Sequence, residues 1–395
     1  MRILVASHGY PPEISGVTIV AQKVARAMVA RGHEVMVITG SDHLEPYTDE
    51  DEGVRVMRVR SRSNPFWTEA PIPFVSLDDL AAITASFRPD VLHTHETALL
   101  ARQFMRHARE FDLPLLASCH YVPRFVAQYV SEVTRPPVEA VVWTYSIWLL
   151  NRCSHVVFAN STHRNIFGEQ GLRTATTIIS NGIDTQHYSA NGDGQEQVAA
   201  RYGLPQGRRV LFVGRLAKDK SIDVLIRAMA HVPVTLDAHL VLVGRGDGRS
   251  ELEALTAELG LQSRVHFCGF VTEEDMPAIY RAADLFAIAS TCEVQSLPTL
   301  ASMSTGLPVV AADALSLPEL VKDGVNGYLV PPGDAALIGE RITRLLSEPG
   351  LARRMGQAGL ELVRPHAENH TFDAYERLYA QLCADGRPPR EECAC

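Results

Sequence analysis

RILVASHGYPPEISGVTIVAQKVARAMVARGHEVMVIT (residues 2–39) decides how the chain folds. RILVAS (2–7) and EVMVIT (34–39) are nearly unbroken apolar runs of strand length. Such runs suit strands covered on both faces. Between them Val20, Val24, Ala27 and Met28 recur at helical spacing, and Gly32 stops the helix. Strand, helix and strand in that order make a right-handed βαβ unit of a parallel sheet.

The same rhythm runs outward from this stretch. Further strands are expected at 54–59, 90–93, 114–118, 155–159 and 176–179, and then at 209–214, 239–244, 264–269, 284–289, 308–312 and 327–330. The stretch 181–208 is rich in Gly, Asn, Asp and Gln and reads as a linker with a short helix, placing a boundary near 190–205. The expected organisation is an α/β chain of two doubly wound parallel-sheet domains, 1–190 and 200–369, facing each other across a cleft. Ligands of such sheets bind outside the carboxyl ends of the strands. A last helix over 370–382 carries Phe372, Tyr375, Tyr379 and Leu382 on one face and needs a partner surface. Residues 384–395 read as a frayed tail.

Composition narrows the function classes. The chain has 395 residues, 46% hydrophobic and 21% charged, as in ordinary globular proteins. A net charge of −9 argues against a nucleic-acid partner. MRILVAS opens directly as a strand, so no signal peptide is expected. The most apolar stretch, 140–150, is too short to span a bilayer. Seven cysteines, at 119, 153, 268, 292, 383, 393 and 395, form no CxxC pair, which suggests neither a zinc site nor a disulfide framework. A cytoplasmic setting is expected.

Four elements carry candidate chemistry. HGYPPEISG (8–16) joins the first strand to the first helix. Pro11 and Pro12 suggest an extended backbone there, and Gly16 lets main chain approach a ligand. GRLAKDK (214–220) follows a strand, and its Arg215 and Lys220 suit a diphosphate. In STCEVQSLPTLASMSTGLPVVAAD (290–313), Glu293 precedes a helix whose first amides, near residues 295–297, suit an anion. His120 ends a buried strand. His93 and His95 sit at another strand end and lack a third metal ligand, which favours structural hydrogen bonding. Three features read as incidental: the acidic TDEDEG (48–53) as a solvated turn, Arg245-Gly246-Asp247 as a chance tripeptide, and Trp143, Tyr145 and Trp148 as helix core.

Taken in order, YPPEISG, DVLHTH, SCH, NGID, GRLAKDK, VGRGDG, HFCGFV, the EVQSL loop, GLPVVAAD and DGVNGYLVPPGD resemble the retaining glycosyltransferases of family 4, over roughly residues 1–382. The resemblance implies the GT-B fold, two facing Rossmann-like domains with an interdomain cleft, and the last helix returning to the N-terminal domain. It implies His120 near the donor sugar, Arg215 and Lys220 on the donor diphosphate, and Gly16 close to the donor. Val271 would meet the nucleobase through its backbone, Glu293 would contact the sugar, and the amides of Ser296 and Leu297 would hold sugar or phosphate. The second glutamate of the family's E-x7-E pattern falls at 301, where this chain has Ala301. Two lost hydrogen bonds to a carboxylate would weaken donor binding by roughly 3 kcal/mol or more, at least about a hundredfold. Ser15 and Ser221 stand where the family commonly has Gly.

The expected activity is transfer of a hexose from a UDP- or GDP-linked sugar to a hydroxyl acceptor, with retention and without metal or cofactor. Ala301 keeps open a catalytically impaired nucleotide-sugar-binding protein, and a sugar-nucleotide epimerase is a further alternative. Residues 121–152 are apolar and aromatic, with Arg124, Arg135 and Arg152. They resemble the acceptor side of relatives that glycosylate lipids. A peripheral contact of the N-terminal domain with the inner membrane face fits them, as do a core helix and a lipophilic acceptor.

Overall fold

The computed structural model describes residues 1–13, 15–62, 72–123, 131 and 133–385. The chain divides into two compact units, Met1–Asn181 with the segment from Asn369 onward, and Gly182–Glu368. The division falls ahead of the 190–205 stretch because Ile183, Tyr188 and Val198 are already buried in the second unit's core.

The first unit holds β1 (Arg2–Ala6), β2 (Glu34–Gly40), β3 (Tyr47–Asp51), β4 (Val54–Val59), the short pair β5 (Ser61–Arg62) and β6 (Ile72–Pro73), β7 (Val91–Thr94), β8 (Leu115–Cys119), β9 (His155–Phe158) and β10 (Thr176–Ile178). Its main sheet runs β10-β9-β8-β7-β1-β2-β4-β3. Every pairing is parallel except β3 on β4. Strand order reverses at β1, which lies between β7 and β2. The helix Gly16–Ala30 turns Val20, Val24 and Met28 inward as the spacing requires, with Ala21 and Ala25 buried and Ala27 only partly so.

TDEDEG is a correction. It forms most of β3 and the turn after it, not a free solvated loop. Glu50 stands directly opposite Arg55 across the pair, a favourable cross-strand match. Asp51 accepts from Tyr10 Oη (2.8 Å), Gln22 Nε2 (3.0 Å) and Arg26. The acidic run reads as solvated only while those partners, 25 to 41 residues away, are out of view.

The second unit holds β11 (Arg208–Val213), β12 (Ala238–Val243), β13 (Val265–Gly269), β14 (Leu285–Ile288), β15 (Val309–Ala312) and β16 (Gly327–Val330). They form one parallel sheet ordered β13-β12-β11-β14-β15-β16. Its order reverses between β11 and β14. Such reversals are where parallel sheets open a crevice for ligands at the strand carboxyl ends.

The last helix, Glu368–Asp385, buries Tyr375, Leu378, Tyr379 and Leu382 in the first unit. Tyr379 Oη meets His93 Nδ1 at 2.7 Å, and Tyr375 Oη meets Ser118 Oγ at 2.8 Å. His93 Nε2 lies 2.8 Å from the same Ser118 Oγ. Arg31 pairs with Asp373 and Glu376 at the helix's outer side. Residues 386–395, with Cys393 and Cys395 of the expected tail, lie outside the described residues.

Tyr379→Phe strips the buried His93 Nδ1 of its partner and is expected to cost about 1–3 kcal/mol. Tyr375→Phe leaves Ser118 with His93 and is expected to cost less. Urea unfolding followed by a first-unit probe checks the order of the two.

Candidate active site

On the second unit, the residues after β11 lie against those after β12. Gly214 N donates to Val243 O, Leu216 N to Arg245 O, and Gly248 N to Leu216 O, all at 2.8–2.9 Å. A Cβ on Gly244 would sit 2.0 Å from Gly214 O, so only glycine permits this approach. The loop then makes a 3₁₀ turn, Lys218–Lys220, and enters the helix Ile222–Met229 through Ser221. Ser221 has φ +49°, the left-handed region that favours glycine. The tightness of this turn explains why glycine suits the position.

This turn brings four charges together. Arg215 Nη2 lies 3.0 Å from Asp219 Oδ1, and Lys220 Nζ lies 2.7 Å from Glu293 Oε1 and 3.8 Å from Asp219 Oδ2. Burial alone would lower the Lys220 pKa. The Glu293 carboxylate and then Asp219 outweigh it and hold the ammonium above the ordinary lysine value. Ser290 Oγ donates to Asp219 O at 3.2 Å and fixes the turn beside the end of β14. Ser296 caps the helix Leu297–Ser304, its Oγ accepting from Thr299 N at 3.2 Å. The Ser296 hydroxyl is thus engaged within the protein, and Leu297 is half-buried at the helix start.

Ala301 is 3% exposed and lies in the second core. Val271 is also buried there, directly after Gly269 and Phe270. Sequence reasoning missed its neighbours. Phe270 is 45% exposed, and the Arg245 guanidinium lies 5.2 Å from its ring centre. The signal was an aromatic and an arginine at two adjacent strand ends, hidden when Arg245 was read only as part of a chance tripeptide.

On the first unit, the loop after β1 turns at a cis Pro11–Pro12 bond instead of running extended, and Glu13 N donates to Tyr10 O at 3.3 Å. Arg58, buried on β4, donates to Pro11 O. Ser15 caps the helix at Gly16, exchanging bonds with Thr18. Nothing lies within 4 Å of a Cβ built on Gly16, so the fold itself leaves room for a side chain.

His120 follows β8. Its Nε2 lies 3.0 Å from His95 Nδ1, with the rings stacked 5.2 Å apart. Burial, with His163 nearby, pushes the His120 pKa down to about 3. Burial likewise takes His93 to about 3, His163 to about 4 and His95 well down. All four imidazoles are therefore neutral at pH 7. They donate or accept hydrogen bonds without bringing charge. Glu96, also missed, follows β7. Burial pushes its carboxyl up to about 7 against the pull of the Ala101 and Leu100 amides.

The comparisons with known proteins agree on one family. The model for "Glycosyl transferases group 1" matches residues 195–362, and that for "Glycosyltransferase Family 4" matches residues 14–187. An uncharacterized glycosyltransferase of Methanocaldococcus jannaschii is 30% identical over 360 residues, 89% of this chain and 90% of its own length. A D-inositol 3-phosphate glycosyltransferase of Salinispora arenicola is 29% identical, over 97% of this chain and 91% of its own. The crystal structure of Anabaena HepE with UDP-glucose superposes with a TM-score of 0.79 at 21% identity, covering 96% of this chain and all of that one.

The four depressed histidines set an acid limit on the first unit. Unfolded, each titrates near 6.5. Below that the unfolded chain binds more protons, so stability present above pH 6.5 is lost as pH falls towards about 3. Glu96 acts oppositely, adding stability as pH falls from about 7 to its ordinary 4.5. Four groups oppose one, each worth up to about 1.4 kcal/mol per pH unit. Urea midpoints for the first unit are expected to fall from pH 6.5 to 5, less steeply in His120→Asn.

Proposed function

The chain belongs to the group 1 glycosyltransferases, and from that membership we propose that it moves a hexose from a UDP- or GDP-linked donor to a hydroxyl acceptor, with retention at the anomeric carbon. The observation that carries the reading is the pairing of Lys220 with Glu293 beside Arg215, where the second sheet reverses its strand order. When donor binds, Arg215 and Lys220 turn to its diphosphate and stabilise the charge that grows as the anomeric bond breaks. These two cations do the work without a metal. Glu293, released from Lys220, accepts from a hydroxyl of the sugar. The Ser296 and Leu297 amides, at the positive end of their helix, complete the anion's surroundings. Val271 meets the base through its backbone, with the Arg245–Phe270 pair beside it. Gly16 lets the first helix start close to the donor, and neutral His120 hydrogen-bonds near the reacting carbon. With Ala301 in place of a carboxylate, the ribose hydroxyls take other partners and donor affinity is modest.

The acceptor belongs to the N-terminal unit, and a lipid or lipophilic hydroxyl compound fits it. Support comes from the helix Arg135–Leu150, where Val141 is 68% exposed and Trp148 is half-exposed beneath the Arg152 guanidinium at 4.6 Å. No helix among the described residues is long and apolar enough to cross a membrane. We place the enzyme in the cytoplasm, touching the inner membrane face through this unit. Arg124 of the same stretch lies outside the described residues.

Calorimetry with UDP, GDP, UDP-glucose and GDP-mannose tests the donor side. One nucleotide is expected to bind the wild type, and Lys220→Ala is expected to weaken it about ten- to hundredfold. Binding of neither nucleotide, or equal binding by the variant, would sink the reading. Flotation with anionic liposomes at low salt tests the membrane contact. The wild type is expected to float and Trp148→Ala to float less. A wild type that ignores the vesicles removes the membrane contact alone.

A further inference from the structure

Glu96 stands where the first sheet reverses its strand order. β1 and β7 are neighbours, and the residues that follow them include His8 and Glu96. The two oxygens of Glu96 are used differently. Oε1 accepts from Ala101 N at 3.0 Å, and the Leu100 amide also faces the carboxyl group. This holds the start of the helix Leu99–Glu110, whose own first position has no side-chain cap. Oε2 makes no hydrogen bond among the described residues. It faces His8 Nδ1 at 3.8 Å, too far for one. The Glu96 side chain is 8% exposed, and its one ion-pair neighbour among the described residues is that imidazole. A helix cap needs only the first oxygen. The second is a nearly buried acceptor that makes no hydrogen bond of ordinary length among the described residues, at the strand ends where such sheets take ligands.

We propose that Glu96 Oε2 accepts a hydrogen bond from the reacting hydroxyl of the acceptor, with His8 lining the same subsite. The proposal rests on the glycosyl-transfer reading and deepens it on the acceptor side. It assigns this carboxylate to binding and orienting the hydroxyl.

The groups around Glu96 set its pH dependence. His8 faces it from the end of β1, and the Ala101 and Leu100 amides face it from their helix. Tyr145, on the helix Arg135–Leu150, feels the Glu96 charge together with that of Arg102. His95 and His120 on the adjoining strand ends are neutral near pH 7. Burial dominates and keeps the carboxyl titrating at about 7. The ionised form is the stronger acceptor, so hydroxyl binding improves as pH rises through that value.

The test uses the full chain and donor hydrolysis, in which water takes the place of the acceptor hydroxyl. Four donors are assayed, UDP-glucose, UDP-galactose, UDP-N-acetylglucosamine and GDP-mannose, from pH 5.5 to 8.5, with UDP and GDP calorimetry alongside. Glu96→Gln keeps an oxygen for the helix amides and removes the ionisable one. The expected result is a wild-type kcat that rises through about pH 7. In the variant that rise is absent and kcat at pH 8 falls about ten- to hundredfold. Its nucleotide Kd matches the wild type, and its urea midpoint at pH 8 is no lower than the wild type's, because the buried carboxylate that it removes is a cost at that pH. Equal kcat and equal pH profiles overturn the proposal while leaving glycosyl transfer standing. A fall in kcat with the pH rise retained also overturns it, because a cap alone explains that result. Turnover of none of the four donors by the wild type overturns the hexosyl-transfer reading, and this inference with it.

Discussion

Parallel strand pairing is the constraint on which the arrangement depends. A parallel pair cannot close through a two-residue turn, so the chain leaves every such strand at the same edge and returns through a helix. In this protein that edge collects the polar groups. His8, Glu96 and His120 follow β1, β7 and β8, and Arg215, Arg245, Phe270 and Glu293 follow β11, β12, β13 and β14. Within each unit these residues are far apart in sequence. They gather at that unit's own strand ends because apolar runs such as RILVA and RVLFV are satisfied only when covered on both faces.

The charges on the second unit then follow from burial. A half-buried lysine beside an arginine needs compensation, and Asp219 and Glu293 provide it. The four groups balance to zero. A diphosphate arriving there exchanges one set of anionic partners for another, so its net gain is smaller than its charge suggests. The first unit solves the opposite problem. His93, His95, His120 and His163 are too deeply buried to be charged at pH 7, and neutral hydrogen bonds run from His95 to His120 and from Ser118 through His93 to Tyr379.

Much of the strand framework was legible because buried parallel strands announce themselves as apolar runs. β3 was not, since an edge strand lacks that signature and its acidic residues find partners only in three dimensions. Arg215, Lys220, Glu293 and His120 stood out as polar residues at strand ends. Their partners did not. Lys220 meets Glu293 across 73 residues and His93 meets Tyr379 across 286. Glu96 was hidden for a similar reason. Beside His93 and His95 it reads as one more polar residue of a loop, and only its burial beside His8 distinguishes it.

The acidic edge formed by β3 also bears on how the chain behaves in company. An unpaired strand edge invites another chain to add to the sheet. Here Thr48, Asp49 and Glu50 are exposed along it. A second copy adding edge to edge would set carboxylate against carboxylate. The strand at the opposite edge, β10, is only three residues long. The first unit's broad sheet thus ends in one edge that repels its own kind and one too short to template a partner. This resists aggregation at the high local concentrations of a crowded ribosome or an expression culture.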